Sequence, residues 1–204
     1  MQTTAHRLDR PNRFRTDLAK LASPTSIASF ETELSWMAIA WRDDTLVANM
    51  FGYPSRRLVE LALARIPGMP QSFCRVAVEG QVTDLPSWAI NLIAKLKLYA
   101  AGETVDFADT PLSLEHLTTF GARVIAACRA IPWSETRSYG ELATACGSPG
   151  AARAVGSVMA KNRYPLIVPC HRVLAAGGEI GGYSALDGLQ MKRRLLAMEN
   201  ASLA

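Results

Sequence analysis

The stretch SYGELATACGSPGAARAVGSVMAKN, residues 138–162, decides how the second half of this 204-residue chain is read. Ser138 followed three positions later by Glu141 is a capping box: the serine oxygen accepts from one early helix amide while the glutamate reaches back to the amide of the cap. Gly147 is placed to stop that helix, because glycine takes the left-handed backbone of a helix end without penalty. A second helix is expected to restart at once, with Ser148 as its N-cap and Pro149 at its first position. Two short helices joined through a glycine-containing turn make a helix-turn-helix candidate.

The second helix has an unusual face. Arg153, Gly156, Ser157 and Ala160 fall on one side, smooth apart from a single long cation. A glycine inside a helix costs about 1 kcal/mol relative to alanine, so the low surface needs a reason. Tight packing against another helix is one. Close approach to a nucleic-acid groove, with Arg153 projecting as reader or wedge, is the other. Upstream, a helix from Leu114 to about Ala130 ends before Pro132. Downstream, RYPLIVPCHRV reads as a short strand closed by Pro169, followed by a final helix, LQMKRRLLAMEN.

The first half alternates strand and helix patterns. ELSWMAIAWRDDTLVANMFGY changes polarity every other residue around Asp43 and Asp44, as a hairpin does. A helix starting at Pro54 or Ser55, a strand around Val76 and a helix from about Pro86 to Ala101, stopped by Gly102, follow it. Gly, Asp and Pro gather in GETVDFADTPLS, which marks a domain boundary. The expected division is a basic tail over 1–23, an α/β unit over 24–105 and a mainly helical unit over 106–204.

Charge is placed unevenly. Residues 1–136 balance 14 basic against 14 acidic side chains, whereas residues 137–204 hold eight basic and four acidic, so the formal charge of +4 resides in the last third. A basic surface there suits a polyanion. Within the tail, Arg7, Arg10, Arg13, Arg15 and Lys20 outnumber Asp9 and Asp17. No run approaches the roughly 20 apolar residues of a membrane span, and the N-terminus lacks the apolar block of a secretory signal, so the expected location is the cytoplasm, with the nucleoid.

Four cysteines without CxxC spacing do not make a disulfide scaffold. Cys74 alternates with Val76 and Val78 on one strand face. Cys128 shares a helical stripe with Leu117, Val124 and Ile131, and Cys146 one with Tyr139, Leu142 and Ala143. These three read as small core hydrophobes. Cys170, between Pro169 and His171, fits no such stripe. A free thiol is mostly protonated at neutral pH and needs a base or a positive field to act as a nucleophile. His171 adjoins it, but neighbours on an extended chain point apart, so the imidazole reaches the sulfur only through a turn or a bridging water. Glu199 lies three and four residues beyond Leu196 and Leu195, on or beside their inward face, where an acid needs a partner. His171 is a sensible one, its tautomer fixed by the carboxylate. The alternatives are a structural Pro-Cys-His turn and a solvated Glu199 on a frayed end.

SYGELA, AARAVGSVMAKN, PCHRV about eight residues after an asparagine, GGYSALDG and LLAMEN occur here in that order. Over about residues 114–200 this pattern closely resembles the O6-alkylguanine-DNA alkyltransferases, and the first hundred residues resemble that family's N-terminal domain in size and element order. The resemblance implies a ribonuclease H-like N-terminal domain and a helix-turn-helix, winged-helix-like C-terminal one. It implies repair by direct reversal: the alkyl group of O6-alkylguanine, with O4-alkylthymine a further candidate, passes from a flipped-out base to Cys170 in a single turnover. A substituent on a stacked base is out of a protein nucleophile's reach, and a damaged, poorly paired base is cheaper to extrude.

The implied site follows residue by residue. Cys170 is the acceptor, His171 the base acting through a water, Glu199 the carboxylate completing the relay and Asn162 the hinge between recognition helix and active-site loop. Arg153 is the arginine finger entering from the minor groove, and Tyr139 assists nucleotide rotation. Tyr183 and Ser184 close over the base and bond its O6, and the Val173 backbone contributes to the pocket. Arg172 matches the motif without an assigned role. The implied partner is double-stranded DNA bound by a monomer, with cooperative binding left open. No cofactor or metal is expected: His6, Cys74 and His116 lack zinc spacing, and the four-cysteine sensor module of some relatives is absent. The competing classes are a DNA-binding regulator, against which Cys170 weighs because lesion-binding relatives without activity have lost it, and a cysteine hydrolase, for which the sequence offers no oxyanion hole.

Overall fold

The structure is a computed structural model that describes residues 24–70, 74–78, 81–82 and 85–200, with the side chains of 74–78 and 81–82 left aside. The basic tail of residues 1–23 lies outside the described residues, as does the face assigned to Cys74, Val76 and Val78. Strands β1 (Ser26–Phe30), β2 (Trp36–Arg42), β3 (Thr45–Tyr53), β4 (Cys74–Val78) and β5 (Gln81–Val82) form one sheet in the order β3-β2-β1-β4-β5. Its strands are antiparallel except for the parallel β1–β4 pair. The hairpin anticipated at Asp43-Asp44 joins β2 to β3, with Arg42 opposite Thr45 and Asp43 at φ +50°.

Alternation gives the sheet two unlike faces. Ile27, Ala38, Ala40, Val47 and Ala48 turn one way, and their small side chains let helix α1 (Arg56–Ala64) lie close through Val59 and Leu63. Burying two such residues contributes about 1.5 to 3 kcal/mol each. Ser55 caps this helix by accepting from the Leu58 amide. Phe30, Met37, Ile39, Trp41, Leu46 and Phe51 turn the other way, onto a larger core that continues through helix α2 (Ser87–Ala100) into the second half. The α2 boundaries match the sequence reading, with Pro86 as N-cap and Gly102 at φ +92°.

The second half holds helices α3 (Thr119–Arg129), α4 (Tyr139–Ala145), α5 (Ala152–Met159) and α6 (Gly188–Met198), with a short parallel pair β6 (Arg137–Ser138) and β7 (Val173–Leu174). The α4 capping box is present, each partner bonded to the other's amide, and Gly147 takes φ +70° past the helix end. Three expectations are corrected. Helix α3 begins at Thr119 rather than Leu114, because the Thr118 hydroxyl caps it by accepting from the Gly121 amide. Helix α5 begins at Ala152, not at Pro149: Gly150 adopts φ +88°, which breaks the right-handed path between the two, and the N-cap falls on Ala151 with no side-chain bond. Residues 163–169 are turns rather than a strand, since Leu166 sits at φ +73° and the Val168 amide bonds back to the Tyr164 carbonyl. No helix among the described residues is long and apolar enough to cross a membrane.

Those turns are anchored to the exposed edge of β3. The Asn49 amide donates to the Arg163 carbonyl (2.8 Å), and its side-chain Nδ2 donates to the Pro165 carbonyl (2.9 Å) in a buried setting. Beside it, Leu46 exchanges backbone bonds with Pro111 and Ser113, whose carbonyl accepts the Tyr164 hydroxyl. The first half thus holds the segment that leads to Cys170. Asn49→Ala leaves the Pro165 carbonyl without its donor, and we expect a loss of about 1 to 3 kcal/mol in urea denaturation.

Candidate active site

Cys170 opens a single 3-10 turn, Cys170–Arg172, after Pro169. The backbone therefore turns where an extended chain would have sent the cysteine and histidine side chains apart. Both are buried, at 6% and 0% exposure. Asn162 ties the thiol to the end of α5. Its Nδ2 donates to the Val168 carbonyl (2.9 Å) and to Cys170 Sγ (3.2 Å), and its Oδ1 accepts from the Tyr164 amide (2.9 Å). A single asparagine side chain thereby spans the whole turn segment between helix and cysteine.

The thiol resides at the wall of a cavity of about 280 Å³ lined by Tyr139, Met159, Ala160, Cys170, Gly182, Tyr183 and Ser184. Burial pushes the Cys170 pKa up, while the Asn162 bond and the Lys192 charge pull it back. The Tyr183 hydroxyl also favours the thiolate from close by, although it meets no partner at hydrogen-bonding geometry. Burial holds both tyrosine hydroxyls, Tyr139 and Tyr183, above their ordinary pKa, so both remain donors at neutral pH. Gly181 lets the Tyr139 ring close on this loop, since a β-carbon there would come within 3.2 Å of it.

Behind the cysteine lies a buried ionic cluster. His171 Nε2 is 2.9 Å from Glu199 Oε1, and Arg172 grips the same carboxylate with Nε on Oε2 (2.8 Å) and Nη2 on Oε1 (2.9 Å). Arg172 also donates to the Ile131 carbonyl (2.6 Å) and lies over the Trp133 ring. Burial would raise the Glu199 pKa, but the bonds from His171 and Arg172 outweigh it and hold the group at about 2. Glu199 is therefore ionised and can only accept, so neutral His171 carries its proton on Nε2. That leaves a bare lone pair on Nδ1, which has no hydrogen-bond partner among the described residues. Burial pulls the His171 pKa down, keeping the ring neutral and available as a base.

The inward face of α6 carries one more charge. Lys192 is fully buried, and its Nζ donates to the Val173 carbonyl (2.6 Å) and, at 3.4 Å, to the Gly181 carbonyl. Burial lowers its pKa to about 8. It ties the turn after Cys170 to the loop bearing Tyr183, and its positive field points at the thiol.

The residues singled out in the sequence thus divide into two groups. Cys170, Tyr139, Tyr183 and Ser184 line the cavity, with Asn162 bonded to the thiol, and His171 with Glu199 stands behind it. Arg153 is exposed on α5, lining with Tyr139, Gly156 and Ser157 an outer groove next to the cavity. A β-carbon at Gly156 would lie 3.9 Å from the Tyr139 ring, an ordinary contact, so internal packing does not require the glycine. Val173 is fully buried outside the cavity lining, its amide bonded to Cys170 O and its carbonyl to Lys192. Three participants escaped the sequence reading. Lys192 carried the same signal as Glu199, three and four residues before Leu195 and Leu196. Arg172 stood in the motif without a partner, and Tyr99, whose hydroxyl donates to Glu199 Oε1 (2.5 Å), carried no signal beyond being a tyrosine in an apolar helix. Among the described residues no group of three His, Cys, Asp or Glu is arranged to hold a metal.

Residues 119–201 match the family model described as 6-O-methylguanine DNA methyltransferase, DNA binding domain. A methylated-DNA–protein-cysteine methyltransferase of Mycolicibacterium paratuberculosis is 44% identical over 117 residues, 57% of this chain and 68% of the relative. The crystal structure of Mycobacterium tuberculosis O6-methylguanine methyltransferase superposes with a TM-score of 0.65 at 31% identity, covering 88% of this chain and 94% of that one. A second structure from that organism, in complex with DNA, gives a TM-score of 0.62 at 32% identity over 86% of this chain and 93% of that one. Sequence and architecture agree, and the chain belongs to the methylated-DNA–protein-cysteine methyltransferases, the 6-O-methylguanine DNA methyltransferase family.

Proposed function

We propose that Cys170 is the acceptor of the alkyl group in this repair reaction, with His171 as its base and Glu199 holding His171. The protein reverses O6-alkylation of guanine in DNA by transferring the alkyl group to a cysteine. The observation that carries the assignment is a buried thiol at a cavity wall, held by Asn162, in front of a neutral histidine whose Nδ1 is free to take a proton. The Cys170 proton passes through a water to Nδ1, the sulfur bonds to the alkyl carbon, and the carbon–O6 bond breaks with its electron pair on guanine. The proton taken up by His171 returns through water to the guanine ring, which restores the normal base and leaves His171 neutral. Tyr183 and Ser184 donate to O6 and the ring as charge develops there, which lowers the barrier where it matters. The thioether has no activated carbonyl for water to attack, so one protein molecule accepts one alkyl group.

Access requires the nucleotide to leave the stack. The smooth exposed face of α5 enters the minor groove, Arg153 fills the stack, and Tyr139, which faces both outer groove and cavity, turns the nucleotide inward. O4-alkylthymine fits the same chemistry. The three-strand antiparallel meander flanked by a strand parallel to β1 supports a ribonuclease H-like unit over 24–105. The β6–β7 pair beside α4 and α5 supports a winged-helix-like unit over 106–204. The protein acts as a monomer on double-stranded DNA in the cytoplasm, at the nucleoid.

Mass spectrometry after incubation with duplex DNA containing O6-methylguanine should find one methyl group on the Cys170 peptide and a plateau at one equivalent under excess DNA. Cys170→Ser should transfer nothing while keeping DNA affinity within a few fold. Repair continuing past one equivalent would mean a different mechanism.

Arg153→Ala should slow repair of duplex DNA far more than reaction with free O6-benzylguanine, since filling a base stack matters only when a nucleotide is extruded. Equal losses on the two substrates would reject the finger assignment.

Glu199→Gln leaves Arg172 buried without a counter-charge, and breaking such a pair costs about 3 to 5 kcal/mol. Because the Glu199 pKa is depressed, its contribution is complete above the ordinary value of 4.5 and fades as pH falls toward about 2. Urea denaturation across this window should show a steep loss for the parent protein and a shallower one for the variant, whose thiol should also titrate higher.

A further inference from the structure

We infer that Tyr99, from the C-terminal end of α2, is a positioning residue for the alkyl-transfer reaction: its hydroxyl bridges Glu199 and His171 and holds the histidine as a neutral base protonated on Nε2. The inference rests on the reading of Cys170 as nucleophile and His171 as its base.

Tyr99 is fully buried, and its Oη lies 2.5 Å from Glu199 Oε1 and 3.3 Å from His171 Nε2. A phenol has one proton, and the ionised carboxylate takes it. Toward Nε2 the oxygen then presents only lone pairs. Both polar neighbours of Nε2 are acceptors, so the ring proton is drawn to Nε2 from two sides and Nδ1 is left bare. Burial and the adjacent carboxylate raise the Tyr99 pKa well above its ordinary value, so the phenol keeps its proton.

The second consequence concerns basicity. An unshared carboxylate beside an imidazole favours the imidazolium, and a base that is already protonated cannot accept from Cys170. Tyr99 and Arg172 together disperse the Glu199 charge. The charged and titratable groups around His171 are Glu199 at the end of α6, Lys192 on α6, Arg172 and Cys170 in its own turn, and Tyr99 from α2. Tyr99 alone among them comes from the first half of the chain. Its ring is fixed against Trp133 at 5.5 Å and Phe107 at 6.0 Å, so the hydroxyl position is set by packing. Through this hydroxyl the N-terminal half reaches the ionic cluster behind Cys170.

The test is the pH dependence of Cys170 alkylation by iodoacetamide, read by peptide mass spectrometry so that the other cysteines are resolved, and repeated with free O6-benzylguanine. Tyr99→Phe keeps the ring and removes the donor. The acid limb of its profile should move to higher pH by about one unit, the size expected for loss of one charge-assisted hydrogen bond, with thermal unfolding still cooperative. Site-specific 3-fluorotyrosine at position 99, a stronger donor of nearly the same shape, should move the limb to lower pH, and it serves where the phenylalanine variant folds poorly. Limbs that coincide with the parent protein in both variants would overturn the inference. If His171→Ala also leaves the profile unchanged, the base assignment itself fails, which is a separate outcome from a profile that depends on His171 but not on Tyr99.

Discussion

A carboxylate sealed from water is stable only where donors replace its hydration, and Glu199 is met by Tyr99, His171 and both Nε and Nη2 of Arg172. The donors come from two places, Tyr99 from α2 and His171 with Arg172 from the Cys170–Arg172 turn, and Arg172 donates in addition to the Ile131 carbonyl beyond α3. Glu199 is itself the C-cap of α6, its backbone carbonyl accepting the Ser134 hydroxyl. Four segments must therefore dock before the charge is satisfied. A buried ion pair contributes little net stability when compared with an apolar replacement, yet removing one partner is severe. Such a cluster selects one arrangement of those segments, in which Glu199 engages Nε2 of His171 and leaves Nδ1 without a hydrogen bond among the described residues.

The same economy governs the front of the site. Asn162 binds carbonyl, amide and sulfur together, and Lys192 joins the Val173 and Gly181 carbonyls, so the loop bearing Tyr183 moves with the turn bearing Cys170.

Much of this was legible in the sequence because local rules and tertiary structure agreed. The hairpin at Asp43-Asp44, the α2 boundaries and the α4 capping box each have their determinants within a few residues. The failures have three separate causes. Leu114 to Thr118 carries helical spacing, but Thr118 captures the Gly121 amide and resets the start. Ser148-Pro149 has the composition of a cap, but Gly150 takes a left-handed conformation that ends the matter. Pro165 to Pro169 has the composition of a strand, but its backbone groups find partners in Asn49 and Asn162, both contributed by other elements. In the first two a residue only a few positions away overrode the composition, and in the third a distant partner, Asn49 of β3, took part.

For the site, the inward-facing acid on α6 was readable from spacing, because burial of a charge is costly enough to betray itself. Lys192 obeyed the identical rule. Tyr99 could not be found that way, since a tyrosine buries most of its surface as a hydrophobe does, and only its terminal oxygen distinguishes it from phenylalanine. One oxygen atom, positioned by aromatic packing in α2, meets the ionic cluster after the helices have docked. The N-terminal half has no cavity residue among Tyr139, Met159, Ala160, Cys170, Gly182, Tyr183 and Ser184, yet it completes the hydrogen-bond shell of Glu199 and pins the turns before Cys170 through Asn49. Tyr99 acts from behind the cysteine and Asn49 from the sheet edge, and Met50, Phe51 and Tyr53 line a second cavity together with Cys170, Tyr183 and Ser184, so the N-terminal half belongs to the site by position although it brings no nucleophile to it.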